Sequence, residues 1–171
     1  MSNKQTILAE AMLTDEQLKA VGCLALEANH LETYLDAFVV TYCGENVGNL
    51  LLERKMLDAK VGVFKALFYP LLTTDEARNK LISLHDRIKS DIPKRNAAIH
   101  GDWGLARSIP LSEIFKRKNA NGTDAVYKSL TIKADEVMGI AHRFAGYQME
   151  LVDFWMEFQE IALPSQDTDE Q

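Results

Sequence analysis

The chain has 171 residues, 47% of them hydrophobic and 26% charged, and carries a formal net charge of −6. This is an ordinary globular mixture, long enough for one domain with a sizeable core. The acidic total argues against general nucleic-acid binding, and no window approaches about 18 uninterrupted apolar residues, so no membrane span is expected.

Residues 1–13 read as a helical or frayed lead-in. Thr14 and Gln17, three apart, fit a capping box. From there Leu18, Val21, Ala25, Ala28, Leu31, Leu35, Phe38 and Tyr42 step by three or four, which predicts one amphipathic helix over about 15–43. Gly44-Glu45-Asn46 ends it. A second helix is expected from about Asn49 to Leu72, with Leu52, Met56, Val63, Leu67 and Leu71 among its apolar positions and Pro70 breaking its end. Thr74 caps a third, which begins at Asp75 and turns Leu81, Leu84 and Ile88 inward. Ser90-Asp91-Ile92-Pro93 marks a restart, because Asp91 is a good cap and proline is tolerated in a first turn. A short helix over about 92–100 follows, with Gly101 as its natural stop.

After Trp103 the period changes. Ile114–Arg117 and Val126–Leu130 flank a polar, glycine-containing loop, which predicts a β-hairpin over about 112–131. Val137, Ile140, Phe144, Tyr147, Leu151, Trp155 and Phe158 restore the helical period from Ala134 to about Ala162. Residues 164–171 form a polar, acidic tail of the kind that stays disordered. The expected fold is mainly all-α: a single domain over 1–163, an antiparallel up-and-down bundle of four to five helices with a small hairpin before the last.

Cys23 and Cys43 both fall on the first helix, about 30 Å apart along it, so they cannot bridge each other there. No CxxC or Cys/His spacing suggests a metal site, and no cofactor motif is present. The thiols are expected to be small core residues in a reducing compartment. The first residues lack the apolar run of a secretory signal, and a cytoplasmic protein is expected.

One stretch speaks about chemistry: Pro93-Lys94-Arg95-Asn96-Ala97-Ala98-Ile99-His100-Gly101-Asp102-Trp103. A guanidinium holds a phosphate in fork geometry, and an imidazole moves protons near neutral pH. Asn96 and His100 are four apart and share a helix face. Arg95 and His100 are five apart, about 140° around the axis, so one helix does not aim both at one phosphate. Two copies related by a two-fold axis can, which favours a homodimer. The surroundings are basic: between residues 86 and 118 there are eight cations and four carboxylates, against 11 cations and 21 carboxylates elsewhere. Lys94, Arg107, Lys116, Arg117 and Lys118 are candidates for contacting an RNA backbone. His30, His85 and His142 have no comparable neighbourhood, and Trp103 and Trp155 read as core anchors.

Arg95, the polar Asn96, a four-residue gap, His100 and Gly101, at the end of a helix in an all-α chain, resemble the HEPN superfamily. The resemblance implies a metal-independent endoribonuclease that dimerises so that two motifs line one cleft, where the ribose 2′-hydroxyl attacks the adjacent phosphate. It casts His100 as the proton-handling group, Arg95 as the phosphate holder and Asn96 as orienting His100 or the substrate. It also implies an acidic residue of an early helix near Arg95, for which Glu27 and Glu32 are both candidates. Toxin members modified by a nucleotidyltransferase antitoxin carry a tyrosine two residues after the histidine; here Asp102 stands there, which speaks against that route and leaves Asp102 to pair with Arg95 or Arg107 or to face solvent. The implied setting is toxin–antitoxin or antiviral defence, with an antitoxin or regulatory protein as a further partner. The rival expectations are a non-catalytic HEPN-like dimerisation module and an unrelated helical adaptor.

Overall fold

The structure is a computed structural model, and it describes residues 14–100 and 133–162, apart from the side chains of His100, Ile161 and Ala162. Among the described residues the protein is all-α: α1 (Asp15–Cys43), α2 (Glu45–Leu52), α3 (Leu57–Phe68), a 3-10 turn (Tyr69–Leu71), α4 (Asp75–His100) and α5 (Ala134–Ala162). The lead-in, the expected hairpin and the acidic tail lie outside the described residues. No described helix is long and apolar enough to cross a membrane. The chain divides into two compact units, one of residues 28–92 and 144–171, the other of residues 1–27 and 93–143.

Two of the helix starts are made by the expected side chains. Gln17 N–H donates to Thr14 Oγ1 (3.2 Å) while Thr14 N–H donates to Gln17 Oε1 (2.9 Å), a reciprocal capping box. Thr74 Oγ1 accepts from Ala77 N–H at 3.2 Å. Each satisfies a donor that the first helical turn leaves without a partner.

In the larger unit, aromatic side chains set the helix directions. Phe38 stacks on Trp155 (4.7 Å between ring centroids, 7° between planes), and one turn further along both helices Tyr42 meets Phe158 at 5.8 Å. Phe64 meets Phe154 at 5.7 Å, and four residues on in each chain segment Phe68 meets Phe158 at 5.0 Å. Numbers therefore rise together, and α1, α3 and α5 run parallel to one another in this unit. Between α4 and α5 they run oppositely: Lys80 reaches Glu157, and seven residues later Arg87 grips Glu150, seven residues earlier. The up-and-down alternation is thus present, with α2 as the short return between α1 and α3. Leu31, Leu35, Phe68, Leu81, Ile88, Phe144 and Leu151, all 2% exposed or less, fill the interior.

Four expectations need correction. The helix expected over Asn49–Leu72 is two helices. Glu53 leaves helical geometry (ψ 128°) and Arg54 takes a left-handed φ of +57°, before Met56 starts α3 in extended backbone. No glycine or proline announces this break; the reversal is needed because α3 must return parallel to α1, and it buries both Leu52 and Leu57 while Met56 stays 70% exposed. The restart expected at Ser90–Pro93 does not occur. α4 runs through Pro93, and Asp91 is no cap: it is 2% exposed and its Oδ2 accepts from the Tyr147 hydroxyl at 3.0 Å. An interior proline costs about 3 kcal/mol; burial of Ile88 and Ile92 before it and Ala98 after it outweighs that cost. The buried stripe of α1 starts with Ala20 and Leu24, not Leu18, which is 54% exposed; Ala28, Leu31, Leu35 and Phe38 are buried as expected, while Tyr42 at the end of the stripe is 44% exposed. Finally, the thiols of Cys23 and Cys43 are free and half-buried, not core residues.

The corner between α1 and α2 depends on two glycines. Gly44 takes φ +79°, ψ 156°, a conformation essentially reserved for glycine. Gly48 lies so close to α1 that a Cβ there would sit 2.6 Å from Val40 Cα. Gly62, inside α3, has nothing within 4 Å of the same position. Opposite outcomes are expected from one substitution type in thermal or urea unfolding. Gly48→Ala destabilises by about 1–3 kcal/mol through the backbone clash, whereas Gly62→Ala stabilises by about 0.5–1 kcal/mol through helix propensity. Equal signs would show that α1 and α2 do not approach as described.

Candidate functional site

Lys94, Arg95 and Asn96 belong to the smaller unit and ride on the last turns of α4, which ends at His100. The local sequence favours helix: Ala97 and Ala98 carry no side-chain entropy cost, and Ala98 is 1% exposed. Among the described residues, the other buried ones of this unit are Ala20 and Leu24 of α1 and Val137, Ile140 and Ala141 of α5.

Arg95 is half-buried, with its stem covered and its head toward the exposed Asn96. Arg95 Nη1 donates to Asn96 Oδ1 at 2.9 Å. Neighbours in a helix point about 100° apart, so this bond draws the guanidinium round the helix toward the Asn96 side. Asn96 and His100 share a face by their spacing of four, so the turn moves the cation toward the face that the two define. The Nε of Arg95 is buried and has no hydrogen-bond partner. A guanidinium has five N–H donors; one of Arg95's is matched by Asn96 and the one on Nε is buried, so its capacity for an anion rests on the remaining Nη donors.

The structure separates the two early-helix acids. Glu27 lies in the same unit as Arg95. Glu32 lies in the other unit, where Lys60 Nζ engages it at 2.8 Å and Asp36 at 2.6 Å. The Lys60 side chain is only 10% exposed. Burial pushes its ammonium down, but the hydrogen bonds and charges of Asp36 and Glu32 outweigh burial and lift it above the ordinary lysine range. Sequence reading did not single out this cluster, although a signal was there. Leu57, Lys60, Val61, Phe64 and Phe68 form one helical stripe, and a lysine inside an apolar stripe requires acids on the facing helix.

Lys94 is half-buried. Asp102, Arg107, Lys116, Arg117 and Lys118 lie outside the described residues, as does the His100 side chain. Among the described residues no group of three or more His, Cys, Asp or Glu is placed to hold a metal ion. Trp155 is half-buried against Phe38, and His85 Nδ1 lies 2.7 Å from Asp86 Oδ1. No family model matches the chain, and comparison with curated proteins and with solved structures gives no match.

The Lys60 cluster yields a pH signature. A lysine titrating higher in the folded than in the unfolded state contributes stability fully below the unfolded value, near 10.5, and loses it as pH rises through the folded value. Lys60→Met is expected to cost about 1–3 kcal/mol at neutral pH by leaving two carboxylates without their cation. The deficit relative to wild type should shrink above roughly pH 10.5, when measured by urea unfolding at stepped pH. A constant deficit would show that Lys60 acts by packing alone.

Proposed function

We propose that the chain is a metal-independent endoribonuclease of the HEPN type that acts as a homodimer in toxin–antitoxin or antiviral defence. The observation that carries the proposal is Arg95: its guanidinium is held through Nη1 by Asn96 on the same helical end that His100 closes. The Nη donors that Asn96 does not use suit a fork onto a phosphodiester, and the basic composition of residues 86–118 suits the same substrate.

In this reading Arg95 holds the non-bridging oxygens of the scissile phosphate and stabilises the charge that builds on them. His100 takes the proton from the ribose 2′-hydroxyl, which attacks phosphorus as the P–O5′ bond breaks, and the resulting imidazolium, directly or through water, returns a proton to the departing 5′-oxygen. The products are a 2′,3′-cyclic phosphate and a free 5′-hydroxyl. Asn96 acts on Arg95 through its carbonyl oxygen and leaves its amide to meet His100 or the substrate. Glu27 is the early-helix acid assigned to this site, since Glu32 is engaged by Lys60.

Purified protein is expected to cut RNA with EDTA present and to leave cyclic phosphate ends. His100→Ala and Arg95→Ala should each lower the rate by roughly 10²–10⁴-fold with unchanged helical circular dichroism. Equal cutting by wild type and His100→Ala would assign the activity to a contaminant. In that case the non-catalytic, dimer-forming module would be the reading that remains.

A further inference from the structure

The last helix carries a second, differently charged surface. From Phe144 to Ala162 it contains Glu150, Asp153, Glu157 and Glu160 and no lysine, arginine or histidine. Glu150 and Glu157 are matched by Arg87 and Lys80 of α4. Asp153, midway between those two ion pairs, has no ion-pair partner among the described residues. It faces an open groove of about 740 Å³ between α4 and α5, with Asn79 and Ser83 on the opposite wall and Leu81, Leu84 and Phe154 in its floor. Met149 and Met156 lie four before and three after Asp153, on the same face of α5, and are 64% and 52% exposed. Methionine side chains adapt to many apolar shapes and are over-used at surfaces that take helices.

We infer that this groove and the bordering face of α5 are a docking surface for a basic amphipathic helix of a partner protein. The apolar face of such a helix lies on Met149 and Met156, on the flank of α5 beside the groove, and its cations meet Asp153 at the groove edge and the exposed Glu160 two turns on. The two ion pairs flanking the groove limit how far the helix can slide. Negative charge without a free cation repels phosphates, so the surface does not suit RNA. It shares no residue with the Arg95 motif and requires no nuclease activity.

The test uses the whole chain with methyl-labelled methionine and two synthetic helical peptides, one with leucine and lysine faces, the other with glutamate replacing lysine. The Leu/Lys peptide should shift the methyl resonances of Met149 and Met156 and leave that of Met56, itself 70% exposed on another element, unmoved. Asp153→Lys should weaken binding by roughly tenfold or more. Glu53→Lys, the same charge change at an exposed site outside the groove, should weaken it far less. Absence of binding, unmoved Met149 and Met156, equal binding of the Leu/Glu peptide, or equal weakening by Glu53→Lys would each overturn the assignment. RNA cutting by wild type and His100→Ala is read separately, so either conclusion can fail alone.

Discussion

The aromatic seam of the larger unit is the contact on which the other helix positions rest. Phe38, Tyr42, Phe64, Phe68, Phe154, Trp155 and Phe158 interlock in edge and stacked pairs, so that three helices are keyed in register and in one direction. A fully buried ring removes on the order of 150–250 Å² from water, and well-placed pairs add about 0.5–1.5 kcal/mol beyond that burial. Once α1, α3 and α5 are parallel, the connections are constrained: α2 must return between α1 and α3, and α4 must run against α3 and α5. Exposed ion pairs such as Lys80–Glu157 and Lys89–Asp58 refine this arrangement without holding it together.

Much of the fold was legible because the signals were local. Thr14 with Gln17, Thr74, and the stepping of apolar residues in α1, α4 and α5 each report on one or two turns of helix, and helix ends follow such short-range chemistry. The misread features were decided by tertiary contacts. Arg54 turns left-handed although Glu53-Arg54-Lys55 suits a helix, and Pro93 sits inside a helix although proline ordinarily ends one. In both places buried neighbours outweigh propensity. Leu18 and Ala20 head two competing apolar stripes of α1, and only packing chooses between them.

The candidate site shows the same division. Arg95, Asn96 and His100 were visible as a spacing on one helical end. The bond from Arg95 to Asn96 was not, because residues one apart on a helix do not ordinarily face each other. The assignment of Glu32 to Lys60 was equally hidden, since it joins helices through side chains 28 residues apart in sequence. Charge was legible only as composition: residues 86–118 are basic, and the stretch from Phe144 onward lacks any cation. An overall charge of −6 conceals both.

The elbow of α1 and α2 has a bearing on how the chain acquires its fold. The main chains of Val40 and Gly48 approach closely although only eight positions separate them in sequence, so closing this contact sacrifices little entropy. A contact that near in sequence can form early and offer Leu52 and Phe38 as a first template for the more distant helices. Because Gly48 brings no side chain to this contact, α2 cannot slide by a turn against α1, and the corner fixes the direction in which α3 departs.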